Sequence, residues 1–298
     1  MGRLMYLSSW FFRAKFGKVK KPLQTVLFIS DQCNLACRHC SIYRKEHPHI
    51  KTYGQIQEEL AYSFAQGARF VDFEGGEPMI WKDGEKDIND LVRLARKIGF
   101  FSVTVTTNAQ IPFKGCEADS IWVSLDGIGK YHDQIRGEGT FARLIKNISE
   151  CGHPALSVNM VVNRLNHPSV RETIEFVRSN PHIQLISINF HTPFEGTENL
   201  MVNWGVRAEI IDEVIRLKKA GYPIMNSVSG LRLMRHNHFR KQCWVSNFIL
   251  PDGQRLAECQ GKAAGLCDRC GFCMAGEMRS LLDLKFDTIR AGLKLRVK

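Results

Sequence analysis

The stretch that decides the fold, residues 25–40, reads TVLFISDQCNLACRHC. Its first six residues form a short apolar, β-branched run, which predicts a buried strand. Cys33, Cys37 and Cys40 follow within the next ten residues. In sheets of parallel strands, ligands bind at the loops that follow the carboxyl ends of the strands. The sequence therefore predicts a metal-binding loop after a first strand.

From this stretch to residue 222, short β-branched runs alternate with longer amphipathic segments. The order is typical of repeated βα units around a parallel sheet in an α/β fold. The pattern alone leaves open whether six strands form an incomplete barrel or an open doubly wound sheet. The predicted strands are residues 25–30, 70–74, 102–108, 121–126, 156–163 and 185–191. The predicted helices are residues 53–66, 86–98, 141–151, 170–179 and 207–220, and the link 108–121 is too short for one.

The composition is that of a globular protein: 44% of the 298 residues are hydrophobic and 24% are charged. It excludes a disordered tail, a collagen-like repeat and a coiled coil. No run approaches the roughly 18 apolar residues that span a bilayer, and the N-terminus lacks a signal-peptide pattern, so we expect a cytoplasmic protein. In that reducing compartment, the clustering of most of the ten cysteines indicates metal binding rather than disulfides.

The formal charge is +11, from 41 Lys and Arg against 30 Asp and Glu. Such an excess of positive charge is suited to an anionic partner. The basic residues are scattered along the chain, however, and no nucleic-acid-binding motif accompanies them. We therefore do not expect nucleic acid as the partner.

The first cysteine group has the spacing Cys-x3-Cys-x2-Cys. Three thiolates can bind three corners of a four-iron cubane and leave the fourth iron open to a ligand or substrate. The alternative is a zinc site that His39 or His47 completes.

A second cysteine group lies beyond residue 222, where the alternation of strands and helices stops. A Pro-Asp-Gly turn at residues 251–253 predicts a hairpin with one cysteine before and one after it. We expect residues 223–298 to form a small separate domain with a metal site and a final basic helix at residues 286–298. A zinc ribbon and an iron–sulfur site both fit the pattern. The cysteines are Cys243, Cys259, Cys267, Cys270 and Cys273.

Two motifs together resemble those of the radical S-adenosylmethionine (radical SAM) enzymes. One is the cysteine spacing after the first strand. The other is the run FEGGEP at residues 73–78, which ends the second strand and is similar to the Gly-Gly-Glu-Pro motif of that superfamily. The runs TTN at 106–108, SLDG at 124–127 and YHDQIR at 131–136 add to the agreement, which covers about residues 23–222.

The resemblance implies a partial (β/α)6 barrel, similar to a TIM barrel, as the core domain of residues 23–222. It implies two cofactors: S-adenosylmethionine and a 4Fe–4S cluster that Cys33, Cys37 and Cys40 bind. It also implies reductive cleavage of S-adenosylmethionine to a 5′-deoxyadenosyl radical, which abstracts hydrogen from a substrate. An electron donor such as flavodoxin or ferredoxin would supply the electron.

The same resemblance, with the positions of polar residues at strand ends, assigns seven residues to cofactor binding and none to catalysis itself. Gly75 and Gly76 lack a Cβ and let the backbone approach a ligand closely. Glu77 would pair with the ammonium group of S-adenosylmethionine, and Arg136 with its carboxylate. Asn159 would bond the ribose or, alternatively, be a core residue satisfied by the backbone. The assigned residues are Gly75, Gly76, Glu77, Asn108, Ser124, Arg136 and Asn159.

The C-terminal segment looks like the shortened auxiliary-cluster domain called twitch, which is related to the SPASM domain of the same superfamily. Five cysteines suffice for one set of four ligands and a spare, and the sequence leaves open which one is spare. The resemblance therefore implies an auxiliary 4Fe–4S cluster for electron transfer or substrate binding.

Residues 1–22 form an arm in which six Lys and Arg are mixed with Trp10, Phe11, Phe12 and Phe16. A basic amphipathic helix of this kind can lie in a membrane interface, or it can dock on the bottom of its own barrel. Peripheral membrane contact through residues 1–21 is thus one of two alternatives for this arm.

The sequence is consistent with three functions. The leading hypothesis is a radical SAM enzyme that acts on a small-molecule or lipid-linked substrate. The second is a radical SAM maturase that modifies a peptide or protein, although only about 22 residues precede the core, which leaves no room there for a peptide-recognition domain. The third is a zinc-bearing nucleic-acid-binding protein.

Overall fold

A curved sheet of parallel strands organises the chain in the computed structural model, which describes residues 2–43 and 46–296. Its strands are β1 Gln24–Phe28, β2 Phe70–Glu74, β3 Ser102–Thr107, β4 Ser120–Ser124, β5 Leu156–Val162, β6 Ile186–Phe190, β7 Ser246–Ile249 and β8 Arg255–Leu256. They are ordered β6-β5-β4-β3-β2-β1-β7-β8. Every neighbouring pair is parallel except β7 with β8.

Helices connect most consecutive strands and cover the outer face of the sheet. They are α1 Arg3–Phe16, α2 Tyr53–Gln66, α3 Ile88–Ile98, α4 Lys130–Arg136, α5 Thr140–Cys151, α6 Val170–Ser179, α7 Trp204–Lys219, α8 Val228–His236, α9 Gln260–Ala263, α10 Met274–Leu282 and α11 Phe286–Arg296. Helix α2 begins at a capping box formed by Thr52 and Gln55 and ends at Gly67 in the left-handed conformation. The alternation from β1 to β6 is a partial (β/α)6 barrel, which confirms the predicted α/β fold.

The predicted elements are all present, with bounds that differ by at most three residues from those observed. No helix lies between β3 and β4 in the described chain, as the short link 108–121 predicts. The last helix extends to Arg296, and Val297 and Lys298 of its predicted span lie outside the described residues. Among the described residues, no helix is both long enough and apolar enough to cross a membrane.

The two faces of the sheet differ in polarity, and the difference creates the site. Alternate residues of β3, such as Val103 and Val105, are fully buried against the helices. The intervening Ser102, Thr104 and Thr106 line a cavity on the inner face. The same alternation continues into β4 and β5, so polar side chains of several strands face the lumen, beside apolar ones such as Trp122 and Val161. Further lumen residues are Asp72, Glu74, Ser120, Ser124, Asn159, Ser187 and Asn189.

The C-terminal segment extends the barrel sheet, which differs from the separate module expected from the sequence. Strand β7 pairs in parallel with β1, on the edge that the barrel leaves open. At the opposite edge, the Phe190 amide donates to the Gly271 carbonyl at 2.9 Å, and the Gly271 amide donates to Thr192 Oγ1 at 3.0 Å. The segment therefore contacts both edges of the six-stranded sheet and brings its cysteines to the barrel.

Helix α1 docks at the N-terminal end of the strands. Its buried side chains are Tyr6, Trp10 and Ala14, which are spaced four residues apart and so lie on one side of the helix. Trp10 Nε1 donates to the Lys21 carbonyl at 2.9 Å, and the Trp10 ring packs 6.0 Å from that of Trp244. The face of α1 that carries Tyr6, Trp10 and Ala14 thus docks on the barrel, which is one of the two alternatives for the arm.

Replacing Gly271 with Ala should destabilise the protein. A Cβ atom there would lie 1.9 Å from the Phe190 carbonyl oxygen, so the C-terminal segment would have to move away from β6. We expect the free energy of unfolding to fall by about 1–3 kcal/mol in chemical denaturation of the anaerobically purified protein. In the control Gly292→Ala, the new Cβ meets no heavy atom within 4 Å, and the helix should gain about 0.5–1 kcal/mol. Equal stabilities of the two variants would contradict this role of Gly271.

Candidate active site

A cavity of about 530 Å³ occupies the lumen of the barrel. It extends from the cysteine loop after β1 to Gln24, Ser102 and Ser120 at the N-terminal ends of their strands. All seven residues predicted to bind the cofactor line it, together with Cys33, Cys37, Cys40, Cys243, Cys259 and Cys270. Cys267 and Cys273 are not part of the lining. The fold thus gathers at one cavity cysteines that are up to 237 positions apart (33 to 270) in the sequence.

Backbone amides surround the sulfur atoms of the cysteine loop. The Leu35 amide lies 3.4 Å from Cys33 Sγ, and the Ile42 and Tyr43 amides lie 3.4 and 3.2 Å from Cys40 Sγ. Hydrogen bonds of this kind stabilise sulfur ligands and tune the potential of an iron–sulfur cluster. The local turns of the loop therefore prepare the sulfurs to carry negative charge.

Burial makes two thiols of this loop, those of Cys33 and Cys37, difficult to ionise in the absence of a cation. It raises the pKa of Cys33 to about 11 and also raises the pKa of Cys37. Bound metal reverses this cost, because a coordinating thiol is deprotonated by the positive charge of the metal. Three such thiols on one loop are a donor set that fits an iron–sulfur cluster.

The histidines considered as zinc ligands lie in different surroundings. His47 is exposed, whereas His39 is largely buried and turns its Nε2 toward Asp126 Oδ2 at 3.7 Å. In residues 2–43 and 46–296, no group of three or more His, Cys, Asp or Glu side chains is arranged to hold a single metal ion. A four-iron cluster does not require its ligands to converge on a single ion, because each thiolate binds its own iron.

Gly75 and Gly76 bring the loop after β2 against the cysteine loop. A Cβ on Gly75 would lie 2.4 Å from the Ser30 carbonyl oxygen, and one on Gly76 would lie 1.9 Å from that of Gln32. The Gly76 amide donates to Ser30 at 2.7 Å, and the Glu77 amide donates to Gln32 at 2.9 Å. These glycines therefore let the loop after β2 pack against the backbone of the cysteine loop. This contact was not predicted from the sequence, which indicated only a close approach to a ligand.

Glu77 ties the same loop to the end of β3. Its carboxylate accepts from the Asn108 amide at 2.7 Å, from Thr107 Oγ1 at 2.7 Å and from the Met79 amide at 3.0 Å. Burial raises the pKa of Glu77, and these hydrogen bonds oppose that effect. Three donors leave one of the roughly four acceptor positions of a carboxylate available.

Asp126 and Arg136 form a buried ion pair beside the cysteine loop. Arg136 Nε donates to Asp126 Oδ2 at 2.7 Å, and Arg136 Nη1 lies 3.8 Å from Cys37 Sγ. Burial opposes the charge on Asp126, but Arg136, with help from His39 and His132, lowers the pKa of Asp126 below its usual range. The pair therefore places a fixed positive charge next to a thiol of the loop.

His39 is neutral at physiological pH, because burial lowers its pKa to about 4. Its Nδ1 has no hydrogen-bond partner in the described part of the chain. The ring centroid of His191, at the end of the sixth strand, lies 6.4 Å away in an edge-on arrangement. The two rings form part of the cavity wall next to the cysteine loop. His191 was included in a predicted strand but was not recognised as a site residue.

The predicted amide ligands already have partners in the protein. Asn108 Nδ2 donates to Asn34 Oδ1 at 2.8 Å, which joins the end of β3 to the cysteine loop. Asn159 Oδ1 accepts from Asn189 Nδ2 at 2.7 Å, across the pair of strands β5 and β6. Ser124 faces the cavity at the end of β4. Asn159 is therefore satisfied by a neighbouring side chain rather than by the backbone.

Four cysteines of the second group influence one another electrostatically. A hydrogen bond between Cys243 and Cys259 lowers the pKa of Cys259 to about 6 and raises the pKa of Cys243. Cys267 and Cys270 raise the pKa of Cys243 further. Cys273 is buried, and burial raises its pKa to about 12; of the other four it interacts with Cys270.

Two cations that the sequence analysis passed over lie beside this second group. Arg207 Nη1 donates to the Cys270 carbonyl at 2.9 Å, and its Nη2 has no hydrogen-bond partner among the described residues. The thiols of Cys270, Cys267 and Cys243 partly offset the burial that lowers the pKa of Lys241. Nearby positive charge favours the ionised form of a thiol. Arg207 lies on helix α7 and Lys241 in an irregular segment, so no local sequence motif predicts that they lie beside the cysteines.

Asp72 and Glu74 form a carboxyl pair in the lumen, which was also missed from the sequence. Burial, together with the charge of Asp72 and a hydrogen bond to it, raises the pKa of Glu74 to about 8. Thr106 Oγ1 donates to Asp72 Oδ1 at 3.2 Å. At neutral pH the pair therefore holds one proton and one negative charge. The available signal was the strand period of two, which puts residues 72 and 74 on the same face.

Replacing Asp126 with Asn should destabilise the protein strongly, because it leaves Arg136 buried without its counter-charge. We expect a loss of about 3–5 kcal/mol in the free energy of unfolding at neutral pH, measured by denaturant titration. The pKa of Asp126 is lowered on folding, so its contribution is present above its unfolded pKa of about 4 and is lost at lower pH. The difference between variant and wild type should therefore shrink below pH 4.

The matched control is Asp212→Asn, which breaks the exposed pair of Asp212 with Arg235. Solvent screens that pair, so its loss should change stability little. A similar effect of the two substitutions, or no pH dependence of the Asp126 effect, would contradict the assignment.

The sequence model of the Radical SAM superfamily matches residues 27–177, which are 151 of 298 residues. A GTP 3′,8-cyclase of Clostridium botulinum is 26% identical over 179 residues, which cover 54% of this chain and 53% of that protein. A probable GTP 3′,8-cyclase of Methanothermobacter marburgensis is 22% identical over 302 residues, with 91% and 95% covered. The chain thus spans about half the length of the first of these curated relatives.

Two solved structures share the fold. Streptococcus suis SuiB bound to S-adenosylmethionine has a TM-score of 0.64 at 18% identity, with 90% of this chain and 66% of SuiB covered. The enzyme anSMEcpe with bound AdoMet and a peptide has a TM-score of 0.59 at 15% identity, with 78% and 73% covered. The family match covers the cysteine loop and the loop after β2. The chain therefore belongs to the radical SAM superfamily, whose members use a 4Fe–4S cluster and S-adenosylmethionine.

Proposed function

We propose that the protein is a radical SAM enzyme, of oxidoreductase or transferase type, that cleaves S-adenosylmethionine reductively and abstracts hydrogen from a small-molecule or lipid-linked substrate. One observation carries the proposal. The three-cysteine loop, the seven assigned cofactor residues and three cysteines of the second group all line a single cavity. Cofactor, substrate and a second redox centre could therefore meet within one enclosed space.

The residues around the first group have separate tasks in this proposal. Cys33, Cys37 and Cys40 would hold the 4Fe–4S cluster, with one iron left for S-adenosylmethionine. Glu77 would accept from the ammonium group through its remaining acceptor position. Arg136 would donate to the carboxylate through N–H groups that Asp126 does not occupy. When bound, the cluster and S-adenosylmethionine supply the electron transfer and the 5′-deoxyadenosyl radical.

Gly75, Gly76, Asn108, Ser124 and Asn159 would shape the remainder of the cofactor site. The two glycines and Asn108 connect three loops through backbone and amide hydrogen bonds, which would fix the distance between cluster and cofactor. Ser124 and Asn159 face the same lumen and would bond the ribose or the substrate. The walls of the lumen would keep water from a reactive radical.

The second cysteine group would bind an auxiliary 4Fe–4S cluster within a twitch-like domain of residues 223–298. We assign Cys243, Cys259, Cys267 and Cys270 as its ligands, because Cys243, Cys259 and Cys270 line the cavity and Cys267 is half-buried, whereas Cys273 is fully buried. Cys273, which is less exposed than Cys270 and does not line the cavity, is then the spare cysteine. The cluster would take up or relay an electron, and a flavodoxin or ferredoxin would serve as the external donor. The enzyme would work in the cytoplasm.

The charges of the lumen support a substrate other than a nucleoside triphosphate. Among the described residues that line the cavity, Arg136 is the sole Lys or Arg, and it is paired with Asp126. Asp72 and Glu74 add negative charge. A triphosphate binds to clusters of cations or to helix N-termini. An uncharged polar or cationic substrate suits this lumen better.

The cluster assignment predicts the iron content of cysteine variants. Anaerobically purified protein should be brown, with about eight iron and eight sulfide per chain. Cys40→Ala should lower iron to about four and abolish formation of 5′-deoxyadenosine in dithionite assays. Cys259→Ala should lower iron similarly but leave some uncoupled cleavage of S-adenosylmethionine.

Two controls accompany these variants. Cys273→Ala should retain about eight iron per chain, since the other four cysteines complete the set. Cys116→Ala changes a buried thiol outside both groups and should change neither iron nor cleavage. Colourless protein with stoichiometric zinc, or cleavage by Cys40→Ala, would reject the proposal.

Deuterium transfer tests the substrate. The protein is incubated without oxygen with S-adenosylmethionine, dithionite and uniformly deuterated GTP, or with deuterated uncharged and cationic candidates. Because Arg136, paired with Asp126, is the sole Lys or Arg among the described lining residues, we expect no deuterium from GTP in the 5′-deoxyadenosine. Enrichment from GTP at the level of a true substrate would contradict the charge argument, and enrichment from a peptide would favour the maturase hypothesis instead.

A further inference from the structure

Helix α1 has a second face that the docking on the barrel leaves uncovered. Met5, Phe12 and Phe16 are 60%, 63% and 72% exposed. They are spaced by seven and four residues, so they form a stripe on the side of the helix that faces away from Tyr6 and Trp10. The rings of Phe12 and Phe16 stack on each other with centroids 6.2 Å apart.

The docked face fixes the stripe relative to the protein. Tyr6 Oη donates to the Gly67 carbonyl, and Lys15 Nζ donates to the Leu282 carbonyl at 2.6 Å. Phe286, which is 77% exposed, follows Leu282 by four residues and adds apolar surface near this contact. Water therefore contacts a ribbon of aromatic side chains held on a rigid support, although such side chains usually find an apolar partner.

The charges around the stripe identify the partner. Residues 1–30 contain six Lys and Arg and no Asp or Glu. By helical geometry, Arg13 and Lys15 flank the stripe on its two sides. Lys18, Lys20 and Lys21 follow directly after the helix and are exposed. An apolar stripe with a cationic border complements a surface of anionic lipid, where aromatics enter the acyl boundary and cations stay near the headgroups.

We propose that α1 and residues 17–21 form a dock for an anionic membrane surface, with Met5, Phe12 and Phe16 inserted among the lipids. The helix keeps its contacts with the barrel while it binds, because its two faces are separate. It lies at the N-terminal end of the strands, whereas the cysteine loop lies at the carboxyl end. Membrane binding therefore leaves the cysteine loop accessible to an electron donor, and it holds whether or not the proposed reaction is correct.

Flotation of the full-length protein with lipid vesicles tests the dock. Vesicles contain phosphatidylcholine alone, or phosphatidylcholine with about a third phosphatidylglycerol. Wild-type protein should float with the anionic vesicles and remain at the bottom with the neutral ones. The double variant Phe12→Ser with Phe16→Ser should reduce flotation about tenfold, with an unchanged unfolding midpoint, because both rings are exposed.

Matched variants separate the contributions. Phe12→Leu with Phe16→Leu keeps the stripe apolar and should float like wild type. Arg13→Glu with Lys18→Glu should abolish flotation, whereas Arg143→Glu with Lys146→Glu changes exposed cations on α5 by the same charge and should have little effect. Equal flotation of the serine variant and wild type overturns the proposal. A second outcome also overturns the proposal: wild type does not float, sediments as a dimer, and the serine variant is a monomer. In that case a second copy of the chain would cover the stripe.

Discussion

The structure depends on a contact between two backbones: the loop after β2 lies against the loop after β1. A side chain at either Gly75 or Gly76 would overlap carbonyl groups of Ser30 or Gln32. The amides of Gly76 and Glu77 bond those same carbonyls. This contact sets the position of the three cysteines relative to Glu77, and through Glu77 relative to the end of β3. The glycines of the motif thus act first on the protein and then, in our account, on the cofactor.

Buried charge is the second constraint on the site. Asp126 and Arg136 neutralise each other, Glu77 is held by three donors, and His39 is kept neutral. Burial raises the pKa of the Cys33 and Cys37 thiols. A bound metal would offset this effect, because its positive charge deprotonates a coordinating thiol. Such a balance of buried groups is costly unless every partner is present.

The sequence predicted the elements of the barrel well because their signals are local. The predicted strand at residues 70–74 and the predicted amphipathic helix at residues 53–66 have the observed bounds. The pairing of β7 with β1 could not be predicted in the same way, because it joins residues more than 200 positions apart. The two faces of α1 were visible in the sequence, but which face docks depended on Gly67, Phe101 and Trp244, which lie far along the chain.

In the candidate site, too, features with a local sequence signal could be predicted, and features that depend on distant contacts could not. Cysteine spacing, the FEGGEP run and polar residues on the predicted strands and in the runs after them indicated the cofactor residues, and these line one cavity. Asp72, Glu74, Arg207 and Lys241 carry no motif, and their placement became visible only when distant strands and helices were brought together. The sequence also could not show which of the five cysteines is spare, because their relative positions depend on the tertiary structure.

The central claim is that one iron of the first cluster is left for S-adenosylmethionine. Electron paramagnetic resonance of the dithionite-reduced, oxygen-free protein tests it directly, with and without S-adenosylmethionine. Our account predicts that the cofactor changes the spectrum of the reduced first cluster, measured in a Cys259→Ala background to remove the second signal. A four-iron signal in that background that S-adenosylmethionine leaves unchanged would contradict the account.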